Sequence, residues 1–161
     1  MRVISGTLGG RRFNPPKLIA TRPTTDFAKT GLFNILNNHL DFSEVSFLDL
    51  FSGTGSISYE FSSRGCRRIV AIDGEEQCIR FIRKMKEEWK IEGMEIIKGD
   101  VFRFINSPRE QFDVIFAGPP YPLKNIGGIP EMIFEHDLLK HDGWFILETD
   151  PKHDFSSHPC F

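Results

Sequence analysis

Residues 45–55 read VSFLDLFSGTG, and this stretch decides the fold. It joins an apolar run to a turn rich in glycine, which is typical of a buried parallel strand that leads into a helix. Four further apolar runs alternate with helical patterns along the rest of the chain. The predicted strands are Val45–Phe51, Arg68–Asp73, Met94–Lys98, Phe112–Ala117 and Trp144–Glu148, and the predicted helices lie near 56–64, 75–90, 101–106 and 129–140. This alternation predicts an α/β fold with a doubly wound, mostly parallel sheet.

The part of the chain before this sheet is predicted to form a hairpin and a helix. Residues 2–13 alternate in polarity and turn at Gly9-Gly10, a pattern typical of a β-hairpin. Thr25 is the predicted N-cap of an amphipathic helix whose apolar face comprises Ala28, Leu32, Ile35 or Leu36, and Leu40. We expect a single domain over residues 1–161, with a basic N-terminal arm over 1–25 and an α/β core over 26–161.

Composition limits the class of protein. Apolar residues make up 40% of the chain and charged residues 26%, which is ordinary for a globular protein. The apolar runs are too short to span a membrane, and the start has no apolar core of signal-peptide length, so a cytoplasmic location is expected. The three cysteines show no paired spacing and the five histidines are scattered, so neither a disulfide nor a metal site is expected.

The net charge of −2 hides an asymmetry along the chain. Residues 1–30 contain six basic residues and one acidic residue, a net +5, whereas the remaining 14 basic and 21 acidic residues make −7. The basic residues are Arg2, Arg11, Arg12, Lys17, Arg22 and Lys29, and the acidic one is Asp26. A basic arm on an acidic body is typical of a protein that contacts a polyanion with one edge. A solvated hairpin is the alternative that charge alone leaves open.

Acidic residues follow three successive predicted strands. Asp49 lies near the end of the first strand, Asp73 closes the second and Asp100 follows the third. The carboxyl ends of parallel strands meet at one edge of a sheet, and ligands bind at that edge. Asp73 is placed to accept hydrogen bonds from both ribose hydroxyls of a nucleoside, and Asp100 to reach the exocyclic amine of an adenine. Asp49 would hold the turn or face an ammonium group.

The glycine turn narrows the choice of ligand. Gly53 and Gly55 let the chain turn sharply and let its backbone approach a ligand closely. Ser58 interrupts the GxGxxG pattern of dinucleotide-binding turns, which counts against NAD or FAD. A glycine turn with three acids suits an adenosine ligand that carries a charged amino-acid tail. The sequence therefore predicts S-adenosylmethionine as the cofactor.

A second loop follows the fourth predicted strand and reads Ala117-Gly118-Pro119-Pro120-Tyr121. Its two prolines fix φ and would hold backbone carbonyls rigidly outward, and Tyr121 could stack on a base. An amine on an aromatic base is a poor nucleophile, because its lone pair is delocalised into the ring. Acceptors that hold its two hydrogens favour the pyramidal form that attacks a methyl sulfonium, and no histidine base is required. A proline-stiffened turn with a core tyrosine is the alternative.

These segments together resemble the RsmD-type 16S rRNA guanine-N2 methyltransferases, which belong to the class I S-adenosylmethionine-dependent superfamily. The resemblance runs in order from residue 1 to about residue 160. It is carried by Met1-Arg2-Val3-Ile4-Ser5-Gly6, Gly10-Arg11-Arg12, Arg22-Pro23-Thr24-Thr25-Asp26, Leu32-Phe33-Asn34, Asp49-Leu50-Phe51-Ser52-Gly53-Thr54-Gly55 and Pro119-Pro120-Tyr121. It implies a Rossmann-like methyltransferase sheet and methyl transfer to the exocyclic N2 amine of a guanine in small-subunit ribosomal RNA or its assembling particle.

The resemblance also implies three groups of site residues. Gly53, Gly55, Asp73 and Asp100 match the family's cofactor positions, and Asp49, Ser52 and Val101 complete the predicted cofactor site. The predicted catalytic loop comprises Gly118, Pro119, Pro120 and Tyr121. The predicted RNA-binding residues are Arg2, Arg11, Arg12, Lys17, Arg22, Thr24 and Thr25.

Two departures from the family pattern affect these expectations. The family has Asp or Asn where this chain has Gly118, and loss of that acceptor is expected to cost ~10²–10³ in rate. No neighbour is predicted to replace it, because Asp113 lies at the opposite end of the strand. The family also has two further C-terminal strands, and none is predicted after residue 148 of this sequence. Residues 144–148 would then form the edge strand of the sheet. Either the chain is shortened and this edge is exposed, or a partner covers it. A monomer is expected, and a dimer would form through this strand.

Two other functions stay open at this point. One is a cofactor-binding and RNA-binding protein whose catalysis is impaired by Gly118. The other is a methyltransferase for another planar amine, such as adenine or a glutamine side chain, because proline-proline-aromatic loops serve those substrates too. The identity of the methylated atom separates these alternatives from guanine N2.

Overall fold

The computed structural model of the protein describes residues 1–17, 19, 24–120, 126–159 and 161. Its helices are α1 (Asp26–Asn37), α2 (Ser56–Ser63), α3 (Glu76–Glu88), α4 (Val101–Asn106) and α5 (Ile129–Glu135), with a 3-10 turn at Ile126–Gly128. Its strands are β1 (Ser46–Leu50), β2 (Arg68–Asp73), β3 (Met94–Lys98), β4 (Phe112–Ala117) and β5 (Leu139–Leu147). The bounds predicted for β2, β3 and β4 are confirmed.

The five strands form one parallel sheet in the order β3-β2-β1-β4-β5. The chain starts at the centre with β1, runs outward through β2 and β3, and then returns to the other side of β1 for β4 and β5. The predicted doubly wound α/β fold is therefore confirmed. The direction of winding reverses between β1 and β4, whose last residues Leu50 and Ala117 lie side by side. A crevice at this reversal is the expected ligand position in such a sheet.

Alternate side chains of the sheet enter two apolar layers, one on each face. Phe47, Ile69 and Val114 pack with α1, α2, α3 and the N-terminal segment. Leu48, Val70 and Ile115 pack with α4 and α5 on the opposite face. Both faces are covered, which explains why the strands are largely apolar. Cys78, Ile82 and Met85 of α3 recur at helical spacing and are buried, so they form part of the core.

Residues 1–13 form a short hairpin that docks on α2. Arg2 and Arg12 form an antiparallel bridge, and the amide of Gly10 donates to the carbonyl of Val3 over 2.9 Å. The connection is thus longer than the predicted two-residue turn at Gly9-Gly10. The loop is shaped by its contact with α2, because a Cβ on Gly6 would lie only 2.0 Å from the Ser63 carbonyl oxygen.

Two predicted elements differ from the structure. The buried face of α1 carries Lys29, Phe33 and Leu36, whereas Ala28 is exposed and Ile35 is 54% exposed. The buried face of α1 is rotated relative to the predicted one, because the Lys29 ammonium has hydrogen-bond partners in the interior. The spacing of apolar residues does not indicate that a lysine is buried. At the other end of the chain, the last helix stops at Glu135 rather than near residue 140, and β5 begins at Leu139 rather than at Trp144. Asp137 has a left-handed φ of +55° there, which interrupts the helical path.

β5 lies at one edge of the sheet, as predicted for residues 144–148. Its residues Trp144 to Leu147 are half-buried, and the Trp144 ring packs 5.0 Å from the His39 ring, centroid to centroid. Within the described ranges, no helix has the length and apolar character needed to cross a bilayer.

A candidate cofactor and substrate cleft

A cavity of about 490 Å³ opens at the carboxyl ends of β1, β2, β4 and β5. Its volume falls within the usual range of small-molecule sites, ~300–1,000 Å³. Its lining includes predicted residues of the cofactor site, Asp49, Ser52, Gly53, Asp73, Asp100 and Val101, and of the catalytic loop, Gly118, Pro119 and Pro120. The two groups of predicted residues therefore share one cavity.

The turn after β1 places the backbone at the cavity wall. Phe51, Gly53 and Gly55 all have positive φ, at +57°, +55° and +83°. Ser52 fixes the turn to the next strand, since its hydroxyl donates to the Ile72 carbonyl over 3.1 Å. Gly55 does not line the cavity: a Cβ there would lie 2.6 Å from the Tyr59 Oη, so this glycine is required for helix packing.

Asp73 connects two loops at the cavity. Its Oδ2 accepts from the Gly53 amide over 2.9 Å, and its Oδ1 accepts from the Glu75 amide over 2.8 Å. Each carboxylate oxygen can accept more than one hydrogen bond, so acceptor capacity is left for a ligand. Asp73 therefore shapes the glycine turn as well as facing the cavity, and its contact with ribose hydroxyls stays a prediction.

Asp100 and Val101 form the wall after β3. Asp100 is the N-cap of α4 and accepts from the Arg103 amide through Oδ1 over 3.0 Å. It is exposed at the cavity, whereas Val101 is buried beneath it. The capping bond holds the Asp100 side chain in place, and its contact with an adenine amine stays a prediction.

Asp49 is 1% exposed, and its Oδ2 accepts from the Ser58 hydroxyl over 2.6 Å. Burial raises the pKa of Asp49 to about 7, and the charges of Asp73 and Glu148 add to the rise, against the Ser58 hydrogen bond. A nearby cation favours the ionised form of a carboxyl group, so a buried carboxyl group with a raised pKa loses its proton most readily when a cation binds beside it. Ser58, the residue that interrupts the glycine pattern, thus supplies a bond that glycine cannot make.

The loop after β4 begins beside the turn after β1, because the amide of Gly118 donates to the Leu50 carbonyl over 3.4 Å. Pro119 is buried and Pro120 is exposed, and both line the cavity. Tyr121 lies outside the described residues. A Cβ on Gly118 would lie 3.1 Å from Phe116 Cε1 and 3.9 Å from Glu148 Oε1.

The expectation that no neighbour replaces the missing acceptor at Gly118 stays a prediction, and two acidic side chains of the β4–β5 pair bear on it. Asp113 does lie at the opposite end of β4, where its Oδ2 accepts from the Ser46 amide over 2.8 Å. Glu148, however, follows β5 directly and faces Gly118. The sequence did offer a hint that Glu148 lies at this edge of the sheet, because it is the fourth acidic residue at the end of a strand. Its position beside Gly118 depends on the pairing of β4 with β5.

The cavity also has an unpaired polar group. Within the described part of the chain, the buried Thr149 hydroxyl has no hydrogen-bond partner, and Thr149 lines the cavity. Buried polar atoms are nearly always hydrogen-bonded, so an orphan at a cavity wall marks a place for a ligand. This residue was not predicted, since a lone threonine after a strand gives no signal in a sequence.

The predicted RNA-binding residues fall into two groups. Arg11, Arg12 and Lys17 are exposed, and the Arg11 guanidinium lies 6.0 Å from the centre of the Trp89 ring. Arg2 pairs with Asp26 over 3.2 Å, Thr24 lines the cavity, and Thr25 caps α1 through a 3.1 Å bond from the Ala28 amide. Arg22 lies outside the described residues.

Comparison with known proteins matches the chain to the family described as Conserved hypothetical protein 95 over residues 1–160. The chain is 29% identical over 154 residues to ribosomal RNA small subunit methyltransferase D of Haemophilus influenzae, covering 93% of this chain and 79% of that protein. The likeness covers nearly the whole chain, including the hairpin and both loops of the cavity.

Solved structures share the fold. A hypothetical protein of Thermus thermophilus superposes with a TM-score of 0.80 at 22% identity, over 91% of this chain and 84% of that one. Coclaurine N-methyltransferase bound to N-methylheliamine and SAH superposes with a TM-score of 0.59 at 19% identity, over 78% and 36%. The fold is thus one used by methyltransferases. The resemblance noted in the sequence is confirmed, and the chain belongs to the Conserved hypothetical protein 95 family, that of the RsmD-type methyltransferases.

Proposed function

We propose that this protein transfers a methyl group from S-adenosylmethionine to the exocyclic N2 amine of a guanine in small-subunit ribosomal RNA. The observation that carries the proposal is the shared cavity, in which the glycine turn and its acids face the proline loop. The name of the Haemophilus influenzae relative supports ribosomal RNA methylation. The choice of guanine N2 rests on the resemblance to the RsmD type.

The cavity suits the cofactor on three grounds. It is large enough for a nucleoside with an amino-acid tail. Gly53 lets the backbone form part of its wall, and the buried Thr149 hydroxyl lacks a partner within the described residues. Asp73 would accept from the ribose hydroxyls, Asp100 from the adenine amine and Asp49 from the ammonium group.

Methyl transfer forms a nitrogen–carbon bond from the amine lone pair while the carbon–sulfur bond of the sulfonium breaks, its electron pair passes to sulfur, and the methylated amine loses one proton to water. The chain's own task is to hold the amine in a pyramidal form. Carbonyl acceptors of the loop Gly118–Pro120 would hold its hydrogens. The prolines restrict this loop, so its acceptors need little reorganisation during the reaction.

The exposed cations of the N-terminal arm, residues 1–25, support an RNA substrate. Arg11, Arg12 and Lys17 lie on an otherwise acidic protein, and a positive edge attracts the phosphate backbone. Arg2 and Lys29 contribute less, because Arg2 pairs with Asp26 and Lys29 is buried. The arm is thus a smaller positive surface than its sequence suggests.

The test is transfer of labelled methyl groups from S-adenosylmethionine to unmodified small-subunit particles and, separately, to naked ribosomal RNA. Nuclease digestion and chromatography then identify the methylated nucleoside. N2-methylguanosine is the expected product. Label in adenosine or in protein would replace the proposal with the adenine or glutamine alternative. Binding of the cofactor without transfer to any of these acceptors would favour the non-catalytic alternative.

A further inference from the structure

We propose that the Glu148 carboxylate replaces the acceptor that Gly118 cannot supply, and that it holds a hydrogen of the substrate amine during methyl transfer. The inference rests on the proposed function, since it names a catalytic residue for that reaction. It adds a specific expectation: the chain is an active enzyme despite the glycine in its catalytic loop.

Strand pairing brings Glu148 to the catalytic loop. Ala117 and Leu147 are paired in the register of β4 and β5, and the Glu148 amide donates to the Ala117 carbonyl over 2.9 Å. Glu148 and Gly118 are therefore the first residues beyond two adjacent strand ends. Because this position is set by backbone pairing, the side chain has a fixed starting point at the cavity.

The Glu148 carboxylate reaches the space that a side chain at residue 118 would use. Its Oε1 lies 3.9 Å from the position of a Cβ on Gly118. An aspartate there would carry its carboxyl group one bond beyond that Cβ. The carboxylate of Glu148 and that of an aspartate at residue 118 would thus lie in the same region of the cavity, one reaching it from β5 and the other from β4.

A hydrogen bond orients Glu148 for this task. The Thr24 hydroxyl donates to Oε2 over 2.7 Å, and within the described residues no hydrogen bond engages Oε1. Thr24, Glu148 and Gly118 all line the cavity. Thr24 is consequently inferred to be a positioning residue, which leaves the oxygen nearer Gly118 available for the substrate amine.

Glycine at residue 118 leaves room for Glu148, whereas the charge of a second carboxylate would be opposed there. A Cβ at residue 118 would lie 3.1 Å from Phe116 Cε1, so the Phe116 ring would have to move by a few tenths of an ångström. A carboxyl group there would also face the Glu148 charge, and like charges in a cavity repel. One carboxylate at this junction is therefore favoured, and in this chain it comes from residue 148.

The experiment compares wild type, Glu148→Met, Gly118→Asp and the double variant on unmodified small-subunit particles. Each is assayed for kcat with labelled S-adenosylmethionine and for cofactor Kd by calorimetry. Glu44→Met is the matched control, because Glu44 is exposed before β1, at the opposite end of the sheet from the cavity.

Glu148→Met removes both acceptor oxygens and is expected to lower kcat by ~10²–10³ with an unchanged cofactor Kd, the usual size of a lost transition-state contact. Gly118→Asp should restore at least tenfold of that loss in the Glu148→Met background, and should not exceed wild type alone. A wild-type rate in Glu148→Met would overturn the inference while leaving the proposed function intact. A loss that Gly118→Asp does not restore would also overturn it, in favour of a structural role for Glu148. Absence of transfer by wild type would overturn the proposed function and the inference together.

Discussion

Lys29 and Glu60 form a buried ion pair, with Nζ and Oε1 3.7 Å apart and side chains 1% and 0% exposed. The pair joins three parts of the molecule. Glu60 accepts from the amides of Ile4 and Ser5 in the hairpin over 2.8 and 3.1 Å, and Lys29 donates to the Arg2 carbonyl over 2.5 Å and the Ser56 hydroxyl over 3.0 Å. The hairpin is therefore fixed to α1 and α2 rather than solvated alone.

Lys29→Met is expected to lower the free energy of unfolding by about 1.5–3 kcal/mol, because Glu60 loses one cationic partner while Arg64 still pairs with its Oε2 over 2.9 Å. Lys29→Met combined with Glu60→Gln should cost less than the sum of the single changes, since both remove the same interaction. Urea unfolding measures both. Lys84→Met, at an exposed site on α3, should change stability by no more than about 0.5 kcal/mol. Additive effects of Lys29 and Glu60 would contradict this account.

Asp49→Asn is expected to stabilise the protein more at pH 8 than at pH 5. The folded pKa of Asp49 is raised to about 7 by burial, from 3.8 in the unfolded chain. The folded state therefore holds a proton that the unfolded state has lost, and stability falls as the pH rises through this window. Asparagine does not ionise, so the variant does not show this loss of stability. The gain in the free energy of unfolding is at most about 4 kcal/mol at pH 8. Urea unfolding at both pH values checks it, and an equal difference at pH 5 and pH 8 would contradict the assigned pKa.

Glu148→Gln is expected to lower the pKa of Asp49, because the Glu148 charge is one cause of its elevation. Carbon NMR of the Asp49 carboxyl group measures the change without substrate or cofactor. Glu44→Gln should leave the titration where it is. An unchanged Asp49 pKa in Glu148→Gln would show that the two carboxylates do not interact across the cavity.

Gly55→Ala is expected to destabilise the protein by about 2 kcal/mol or more, since it combines a left-handed φ with a clash against Tyr59. Gly31→Ala is the matched change in α1, where a Cβ meets nothing within 4 Å. It should stabilise by about 0.5–1 kcal/mol, because alanine favours a helix. Thermal unfolding of the two variants tests the pair, and a neutral Gly55→Ala would argue against the described turn.

Arg11→Ala and Arg12→Ala are expected to weaken RNA binding and to flatten its dependence on salt. Each lost phosphate contact should reduce the slope of log K against log salt by roughly one. Binding is measured with labelled ribosomal RNA fragments at several salt concentrations. Arg80→Ala on α3, an exposed site paired with Glu76, is the control. Equal effects of all three substitutions would indicate a diffuse charge effect rather than an RNA-facing hairpin.

Local pattern was sufficient for most of the fold. β2, β3 and β4 are largely apolar runs of five or six residues, which is the pattern expected of strands in a sheet with helices on both faces. The convergence of Asp49, Asp73 and Asp100 on one cavity could be predicted too, because parallel strands present their carboxyl ends at one edge. The limits of α5 and β5 could not, because they depend on how β5 pairs with β4.

The sequence by itself determined the glycine turn, the proline loop, the acids at the strand ends and the family. Only the tertiary structure decided how these residues are partnered. Burial of Lys29 depends on Glu60, which is distant in sequence. The pKa of Asp49 depends on its burial, which raises it, and on the hydrogen bond from Ser58 of the next helix, which lowers it. The approach of Glu148 to Gly118 depends on strand pairing and on one rotamer. These contacts join different elements of the chain, so they depend on how the chain folds in three dimensions and cannot be read from local sequence patterns.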